Sequence, residues 1–360
     1  MAEKILMKGN EAIAISAIRN GADGYFGYPI TPQSEVMETL MKERPWLTTG
    51  MVVLQAESET SSINMVYGGA SCGKKVLTSS SSPGISLMCE GLSYLAGAEL
   101  PCVVVNCQRG GPGLGTIQAS QSDYNQCVKG GGHGDYNSIV LAPASAQDMY
   151  DHVDLGFDLA FKYRTPVIIL ADGIIGQMME KVELREEKPR MTAEQIREIA
   201  PWATVGKPAG RPYNVITSLA MESDVHEKFN QKLGAKYALI KENEVRYETY
   251  MADDAEYIFV AFGCSSRICE AVVDLLREEG IKAGLLRPIT LFPFPSKKLA
   301  EMSQTVKSMM SIELNMGQMV DDVRLAVNGK CPVGFYGRQG GNIFTPEEIA
   351  AEFKKFNNLK

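Results

Sequence analysis

Hydrophobic positions along the first half of this chain switch between two rhythms. Segments 9–20, 32–43, 57–73, 83–97 and 145–163 repeat apolar residues at the helical period, whereas 25–28, 51–55, 75–79, 102–106, 138–142 and 166–171 are short apolar runs of strand length. Runs such as PCVVVNC and TPVIILAD are apolar at nearly every position, which suits strands covered on both faces. The pattern predicts an α/β fold with a parallel sheet wrapped by helices.

From 186 to 250 the pattern gives way to a charge-rich stretch, with prolines at 189, 201, 208 and 212, read as a connector with local helix. Alternation then resumes, with strands at 256–262, 281–287, 307–314 and 332–335 and helices at 264–279, 295–303, 317–328 and 346–356. The expected organisation is a first domain over 1–185, a connector over 186–250 and a smaller α/β domain over 251–360. One segment breaks the first domain: CQRGGPGLGTIQASQSDYNQCVKGGGHG, residues 107–134, is long, polar and glycine-rich. Long loops inside compact domains are usually functional, and this one leaves a central strand.

Composition excludes more than it selects. The 360 residues are 45% hydrophobic and 22% charged, with a net charge of −7 and no extended basic run, so a nucleic-acid surface is not expected. No apolar stretch is long enough for a membrane span, and MAEKILMKGNEA does not read as a leader, so a cytoplasmic chain is expected. The eight cysteines fall in apolar patterns or in pairs without a third member nearby, which argues for reduced thiols and against a metal or cluster site on this chain. His152 lies on a predicted helix and His226 in a polar stretch, and neither suggests chemistry.

In open parallel sheets ligands bind beyond the carboxyl ends of the strands, where helix amides are unpaired. That rule collects Thr31 in YPITPQSE, Glu57 and Glu59 in AESE, the turn SSSPG from Ser80 through Ser82, Pro83 and Gly84, and Arg109 in CQRGGPG. Each has an ordinary explanation. Thr31 before Pro32 reads as a helix cap, the glutamates as first-turn acids, the serines as a capped turn and Arg109 as a solvated loop charge. Their convergence on one edge favours a site. A cation and a carboxylate there suit a small anionic substrate, with Arg109 pairing to its carboxylate.

The segments GYPITPQSEVMETL, QAESETSSINM, SSSPGISLMCEGL, PCVVVNCQRGGPGLGT, LLRPITLFPFP and ELNMGQM resemble the alpha subunit of the 2-oxoacid:ferredoxin oxidoreductases along essentially the whole chain. Length and wording are most similar to the 2-oxoisovalerate, branched-chain type. The resemblance implies a thiamine-diphosphate-enzyme pyrimidine-type domain followed by a domain similar to the C-terminal domain of transketolase. It implies that Glu59 hydrogen-bonds N1′ of the cofactor's aminopyrimidine and so activates it, and that Thr31 and Arg109 contact the substrate's oxo and carboxylate groups. Pro29, Ile30, Ser82, Pro83 and Gly84 match cofactor-binding positions, while Glu57 matches none and is expected to cap or face solvent. The small residues Ser61, Ser62, Gly68, Gly69 and Ala70 are expected to let that helix pack closely on a neighbour.

Half of such a cofactor site is missing from the sequence. The family pattern for diphosphate and Mg²⁺ is Gly-Asp-Gly with a downstream asparagine, and this chain offers only ADG at 22–24 and 171–173. The resemblance therefore puts the diphosphate and Mg²⁺ site on a beta subunit and [4Fe–4S] clusters on that and a ferredoxin-like subunit. A gamma subunit is a further expected partner, ferredoxin the electron acceptor and coenzyme A the acyl acceptor. Three other readings stay open: a purely structural assembly subunit, or the same chemistry on pyruvate, 2-oxoglutarate or indolepyruvate; and a nucleotide-dependent reductase, which the spacing of GGPGLG disfavours.

Overall fold

A computed structural model describes residues 3–207 and 209–360; the first two residues and Pro208 of the connector lie outside the described residues. The first half runs β1 (Lys4–Lys8), α1 (Gly9–Arg19), β2 (Gly24–Gly27), α2 (Ser34–Glu43), α3 (Pro45–Thr48), β3 (Val52–Gln55), α4 (Glu59–Ser71), β4 (Val76–Ser80), α5 (Ser82–Gly97), β5 (Cys102–Gln108), α6 (Tyr124–Val128), β6 (Ile139–Leu141), α7 (Ala146–Tyr163), β7 (Pro166–Asp172), α8 (Gly173–Gln177) and β8 (Met179–Glu183). After α9 (Ala193–Ile199) and α10 (Ser223–Asn243) come β9 (Tyr247–Tyr250), β10 (Tyr257–Val260), α11 (Gly263–Glu278), β11 (Ala283–Pro288), β12 (Thr290–Phe292), α12 (Ser296–Met302), β13 (Ser308–Glu313), α13 (Met319–Val327), β14 (Val333–Gly337) and α14 (Pro346–Phe356).

The strongest apolar runs become the centre of the larger sheet. β5 and β7 are buried at all seven positions each and pair in parallel from Cys102 opposite Pro166 to Gln108 opposite Asp172. Their branched valines and isoleucines meet helices on both faces, and each such side chain contributes roughly 1.5–3 kcal/mol on burial. The sheet order is β12-β6-β7-β5-β4-β2-β3, parallel throughout except that β12 runs antiparallel to β6. The polar residues Asn106, Gln108 and Asp172 sit at the carboxyl ends of this buried pair, so the apolar core stops where the chemistry starts.

A second sheet, β14-β13-β10-β11-β9, is parallel apart from β9, and β1 with β8 forms a separate antiparallel ribbon. Two departures from the hydrophobic pattern concern the boundary between the sheets. Residues 247–250, within the stretch read as connector, are strand β9, and β12, from TLF after β11, leaves its own sheet to complete the edge of the first. Both strands are short, and only pairing with a distant partner distinguishes them from loop. The ribbon β1–β8 was not expected because each strand is five residues long and pairs only with the other, from the far end of the domain.

Buried polar groups join the two sheets. Gln121, from the long loop, is fully buried; its side chain donates to Phe262 O (2.8 Å) and accepts from Ser265 Oγ (2.9 Å) and Leu314 N (3.1 Å). Arg287 of β11 reaches Asp148 of α7 and Glu248 of β9, each at 2.7 Å. Beside it on α7, His152 is buried and its Nδ1 has no partner among the described residues.

Burial pushes the His152 imidazole down from 6.5 to about 4, although Asp148 pulls it upward. The unfolded chain takes up a proton near pH 6.5 and the folded chain does not, so this group stabilises the fold above that pH and the contribution is lost as pH falls toward 4. The loss is at most about 3 kcal/mol. A His152→Gln variant is expected to show a shallower fall of the unfolding midpoint between pH 6.5 and 4 than the wild type, measured by thermal denaturation across that window.

Candidate active site at the strand ends

Four consecutive strand ends of the larger sheet deliver the candidate residues to one edge. After β2 the chain turns through Pro29 and Ile30, whose apolar side chains form an exposed to half-exposed surface, and reaches Thr31. The helix expected from residue 32 starts instead at Ser34, with Gln33 in the capping position, so Thr31 is not a helix cap. The Gln33 side chain is used in bracing this turn: it donates to Tyr28 O (3.1 Å) and accepts from Ser79 Oγ (2.5 Å), which is also bonded to Tyr25 Oη (2.7 Å). Thr31 itself is exposed, and its carbonyl accepts Arg109 Nη1 at 3.0 Å.

After β3 the two glutamates part company. Glu57 is exposed and accepts a hydrogen bond from Ser61 Oγ (3.1 Å), while Ser58 caps α4 by accepting from Ser61 N (3.2 Å). Glu59, the first residue of α4, is 5% exposed. Its carboxylate lies against Gly84 of α5: a methyl built at Gly84 would stand 2.6 Å from Glu59 Oε1 and 2.0 Å from Ser80 Oγ. Among the small residues of α4, Gly69 packs against Val76 of β4, while Gly68 has nothing of this chain against it. The tighter helix contact uses Gly91 of α5, which makes room for Ile63 of α4.

After β4 the serine run is not a capped turn. α5 starts at Ser82 with Pro83 next, and the Ser81 hydroxyl makes no cap bond. Ser80 Oγ and Ser81 Oγ are buried without partners, as are Thr78 Oγ1, Asn106 Oδ1 and Arg109 Nε, so most of the unpaired buried polar atoms among the described residues gather at the ends of β4 and β5. Such clustering is costly unless something else supplies the hydrogen bonds.

Arg109 is no solvated loop charge: it is 9% exposed. Its main-chain N–H donates to Ser82 Oγ (3.0 Å), Nη1 to Thr31 O and Nη2 to Leu114 O at a long 3.4 Å. The Ser82 hydroxyl donates to Asp123 Oδ2 (2.6 Å), which also accepts Asn106 Nδ2 (2.9 Å). Burial raises the Asp123 carboxyl above its ordinary value despite those two bonds. Asp123 and Asn106 were not among the expected site residues; the one local signal is a polar SQSDYN within the interrupting loop. Ser82, Pro83, Ser86, Arg109, Asp123 and Gln126 line a cavity of 270 Å³ at this edge, and a larger hollow of 620 Å³ between α10, α12 and α13 holds none of the candidate residues.

A buried guanidinium, an enclosed carboxylate and three unpartnered hydroxyls thus stand at the ends of adjacent parallel strands. Residues 15–248 match the family model for pyruvate flavodoxin/ferredoxin oxidoreductase, thiamine diphosphate-binding, and residues 255–349 match core domain II of pyruvate:ferredoxin oxidoreductase. The chain belongs to the 2-oxoacid:ferredoxin oxidoreductase family, an oxidoreductase family. It is 48% identical to the ketoisovalerate oxidoreductase subunit VorB of Methanothermobacter marburgensis, over 97% of each chain. It is 37% identical to the 2-oxoglutarate synthase subunit KorA of Methanocaldococcus jannaschii, over 95% of this chain and 97% of that one.

Among solved structures, the 2-oxoglutarate:ferredoxin oxidoreductase of Magnetococcus marinus, with 2-oxoglutarate, coenzyme A and succinyl-CoA bound, superposes with a TM-score of 0.83 at 27% identity. That match covers 98% of this chain, which spans 65% of the solved one. A split-gene transketolase shares the fold at 15% identity, with a TM-score of 0.61 and 99% of each chain covered. The architecture is therefore a thiamine-enzyme pyrimidine-type domain followed by a transketolase C-terminal-like domain.

The residues present fit the pyrimidine end of thiamine diphosphate. The absence of a side chain at Gly84 lets the enclosed Glu59 carboxylate and the unpartnered Ser80 hydroxyl converge on one point at the start of α5. The metal-binding end fits poorly, because both ADG aspartates are committed elsewhere. Asp23 pairs with Arg190 (2.8 Å) and Lys74 (3.4 Å), while Asp172 caps α8 and accepts Cys264 N (2.7 Å).

Gly84→Ala puts these observations to a direct test. Alanine is the better helix former by about 1 kcal/mol, yet its methyl would displace both Ser80 and Glu59. The assembled enzyme carrying it is expected to lose at least about tenfold in 2-oxoacid-dependent dye reduction, with an unfolding midpoint below that of a control Gly68→Ala variant, where nothing crowds the added methyl.

Proposed function

We propose that this chain is the pyrimidine-side, alpha-type subunit of an enzyme that oxidatively decarboxylates a branched-chain 2-oxoacid, 2-oxoisovalerate, passing the acyl group to coenzyme A and an electron pair to ferredoxin. The observation that carries the reading is Arg109. A guanidinium nine-tenths buried, with its Nε unpartnered, stands on the same strand-end edge as Glu59.

Arg109 receives the substrate carboxylate through Nε and a terminal nitrogen, in the planar two-bond arrangement that guanidinium favours. The long bond from Nη2 to Leu114 O is the contact that gives way, while the bond to Thr31 O keeps the group aimed. Thr31, exposed on the same turn, orients the oxo group. Glu59 holds the hydrogen bond to the aminopyrimidine ring nitrogen, in a pocket that burial keeps poor in water. Thiamine diphosphate, when bound, supplies the electron sink for loss of CO₂. Pro29 and Ile30 supply apolar surface at the entrance, and Ser82, Pro83 and Gly84 shape the wall opposite Glu59.

The branched-chain assignment rests on likeness: 48% and 47% identity to two subunits named for ketoisovalerate, against 32–37% for four subunits named for 2-oxoglutarate. The latter, with the oxoglutarate-bound neighbour, make 2-oxoglutarate the second reading. The engaged state of Asp23 and Asp172 supports a beta subunit that brings the diphosphate and Mg²⁺ site. The [4Fe–4S] clusters belong to that subunit and a ferredoxin-like one, with a gamma subunit completing the complex.

Viologen reduction by the co-purified complex, without oxygen and with coenzyme A, is expected to show the highest kcat/KM for 2-oxoisovalerate among that acid, pyruvate, 2-oxoglutarate and indolepyruvate. Preference for 2-oxoglutarate would transfer the assignment to the second reading. Glu59→Gln is expected to cost about 100-fold or more in kcat. Arg109→Met is expected to lower kcat/KM by about 10- to 100-fold through KM, in line with the ~1.5–3 kcal/mol of a hydrogen bond to a charged group. Full activity in both variants would reduce the chain to an assembly subunit. Calorimetry on the isolated chain is expected to show weak thiamine diphosphate binding, and tight stoichiometric binding would overturn the division of the cofactor site.

A further inference from the structure

Asp123 occupies the capping position of α6, where an aspartate ordinarily accepts hydrogen bonds from the first-turn amides of its own helix. It makes no such bond here. Its carboxylate is turned away to Ser82 at the start of α5, and Ser82 Oγ in turn receives the main-chain N–H of Arg109. The amide that Asp123 would serve, Asn125 N, is taken instead by Gln318 Oε1 at 2.8 Å, from the loop after β13. Gln318 Nε2 donates to Ser122 O (2.7 Å) at the same time, so one side chain of the second sheet spans the entry of α6.

The loop that holds Gln318 is itself fixed. Glu313, fully buried at the end of β13, accepts Gln318 N (3.1 Å), Met319 N (2.8 Å) and Val320 N (2.8 Å). Asn315 Nδ2 donates to Gln121 O (2.8 Å), and Tyr124 Oη donates to Asp322 of α13 (2.5 Å). Both sides of Asp123 are therefore gripped by the second α/β unit, while its side chain faces the first.

We propose that Gln318 caps α6 in place of Asp123, and that this frees the Asp123 carboxylate to act as a positioning residue which holds Ser82 and, through it, the backbone of Arg109. The second unit thereby sets the geometry of the substrate-binding edge without touching the substrate. This inference rests on the reading of Arg109 as the group that binds the oxoacid carboxylate. When the Gln318 acceptor is removed, Asn125 N is left open, and the nearest replacement is the Asp123 carboxylate. Turning back to its own helix, it releases Ser82, and the hydrogen bond that ties Arg109 N to the start of α5 is weakened. Binding of the acid suffers first; turnover once it is bound suffers less.

The test uses the assembled complex and steady-state kinetics with the preferred oxoacid. Gln318→Met, similar in shape but without an acceptor oxygen for the amide, is expected to raise KM about tenfold with kcat changed less than about threefold. Gln318→Glu keeps that oxygen but loses the donor to Ser122 O, so it is expected to restore part of the KM. Asp123→Ala is expected to raise KM as well, and Gln318→Met added to it is expected to have little further effect, since both act on one chain of contacts. A wild-type KM in Gln318→Met, equal loss in Gln318→Met and Gln318→Glu, or multiplying effects of Gln318→Met and Asp123→Ala would overturn the proposal. Should Asp123→Ala fail to assemble, the Gln318→Met and Gln318→Glu pair alone decides it. Arg109→Met run alongside separates the two levels: an unchanged KM there refutes the role of Arg109, whereas a raised KM there with normal Gln318→Met refutes only the positioning.

Discussion

Everything at the candidate site hangs on the pairing of β5 with β7. Seven residues of each are buried, in register and in parallel, so both strands must end at the same level. Apolar burial on both faces leaves the pair no freedom to slip, because a shift by one residue would exchange the sides to which every side chain points. The strand ends then fix the starting points of the next segments. Arg109 follows β5 directly, and Asp172 ends β7 and caps α8.

From that fixed edge the site is built by contacts that each satisfy a buried polar group. Arg109 links the β2 turn to the glycine-rich loop through two carbonyls, and Ser82 links the same residue to α5. Gly84 lets α5 come close enough to α4 for Glu59 to lie against it. The unpaired hydroxyls of Thr78, Ser80 and Ser81, with Asn106 Oδ1 and Arg109 Nε, are the remainder of this accounting. The second sheet participates through Gln121, Asn315 and Gln318, all of which bond to the loop between β5 and α6 or lie in it.

The hydrophobic pattern located most long elements to within a few residues, because periodicity is local and strong where an element buries one stripe or both faces; the exception is α10, 21 residues within the stretch read as connector, where only Leu233, Tyr237 and Ile240 are buried. It missed β1, β8, β9 and β12, all five residues or fewer, whose identity depends on a partner strand and not on their own composition. It also missed α6 inside the loop; Tyr124, Cys127 and Val128 are apolar, but five residues are too few to show a period. Among site residues, the strand-end rule placed Thr31, Glu59, Ser82, Gly84 and Arg109 on one edge correctly. The Thr31 cap failed because the helix starts later, and the solvated Arg109 failed because the loop folds over it. Asp123 was invisible, since nothing in SQSDYN says that its carboxylate faces a serine more than forty positions earlier.

By itself, then, the sequence determined the kind of fold, the order of its strands along the chain and the chemical types at their ends. Those depend on residue spacing and on the apolar content of short segments, which each segment carries alone. The tertiary structure decided which polar groups meet: that Glu59 and not Glu57 is enclosed, that Arg109 is buried with a free nitrogen, and that Gln318 caps a helix of the first unit. A hydrogen bond between residues nearly two hundred positions apart has no local signature. It exists because the loop after β13 of the second sheet packs on the loop that follows β5 of the first.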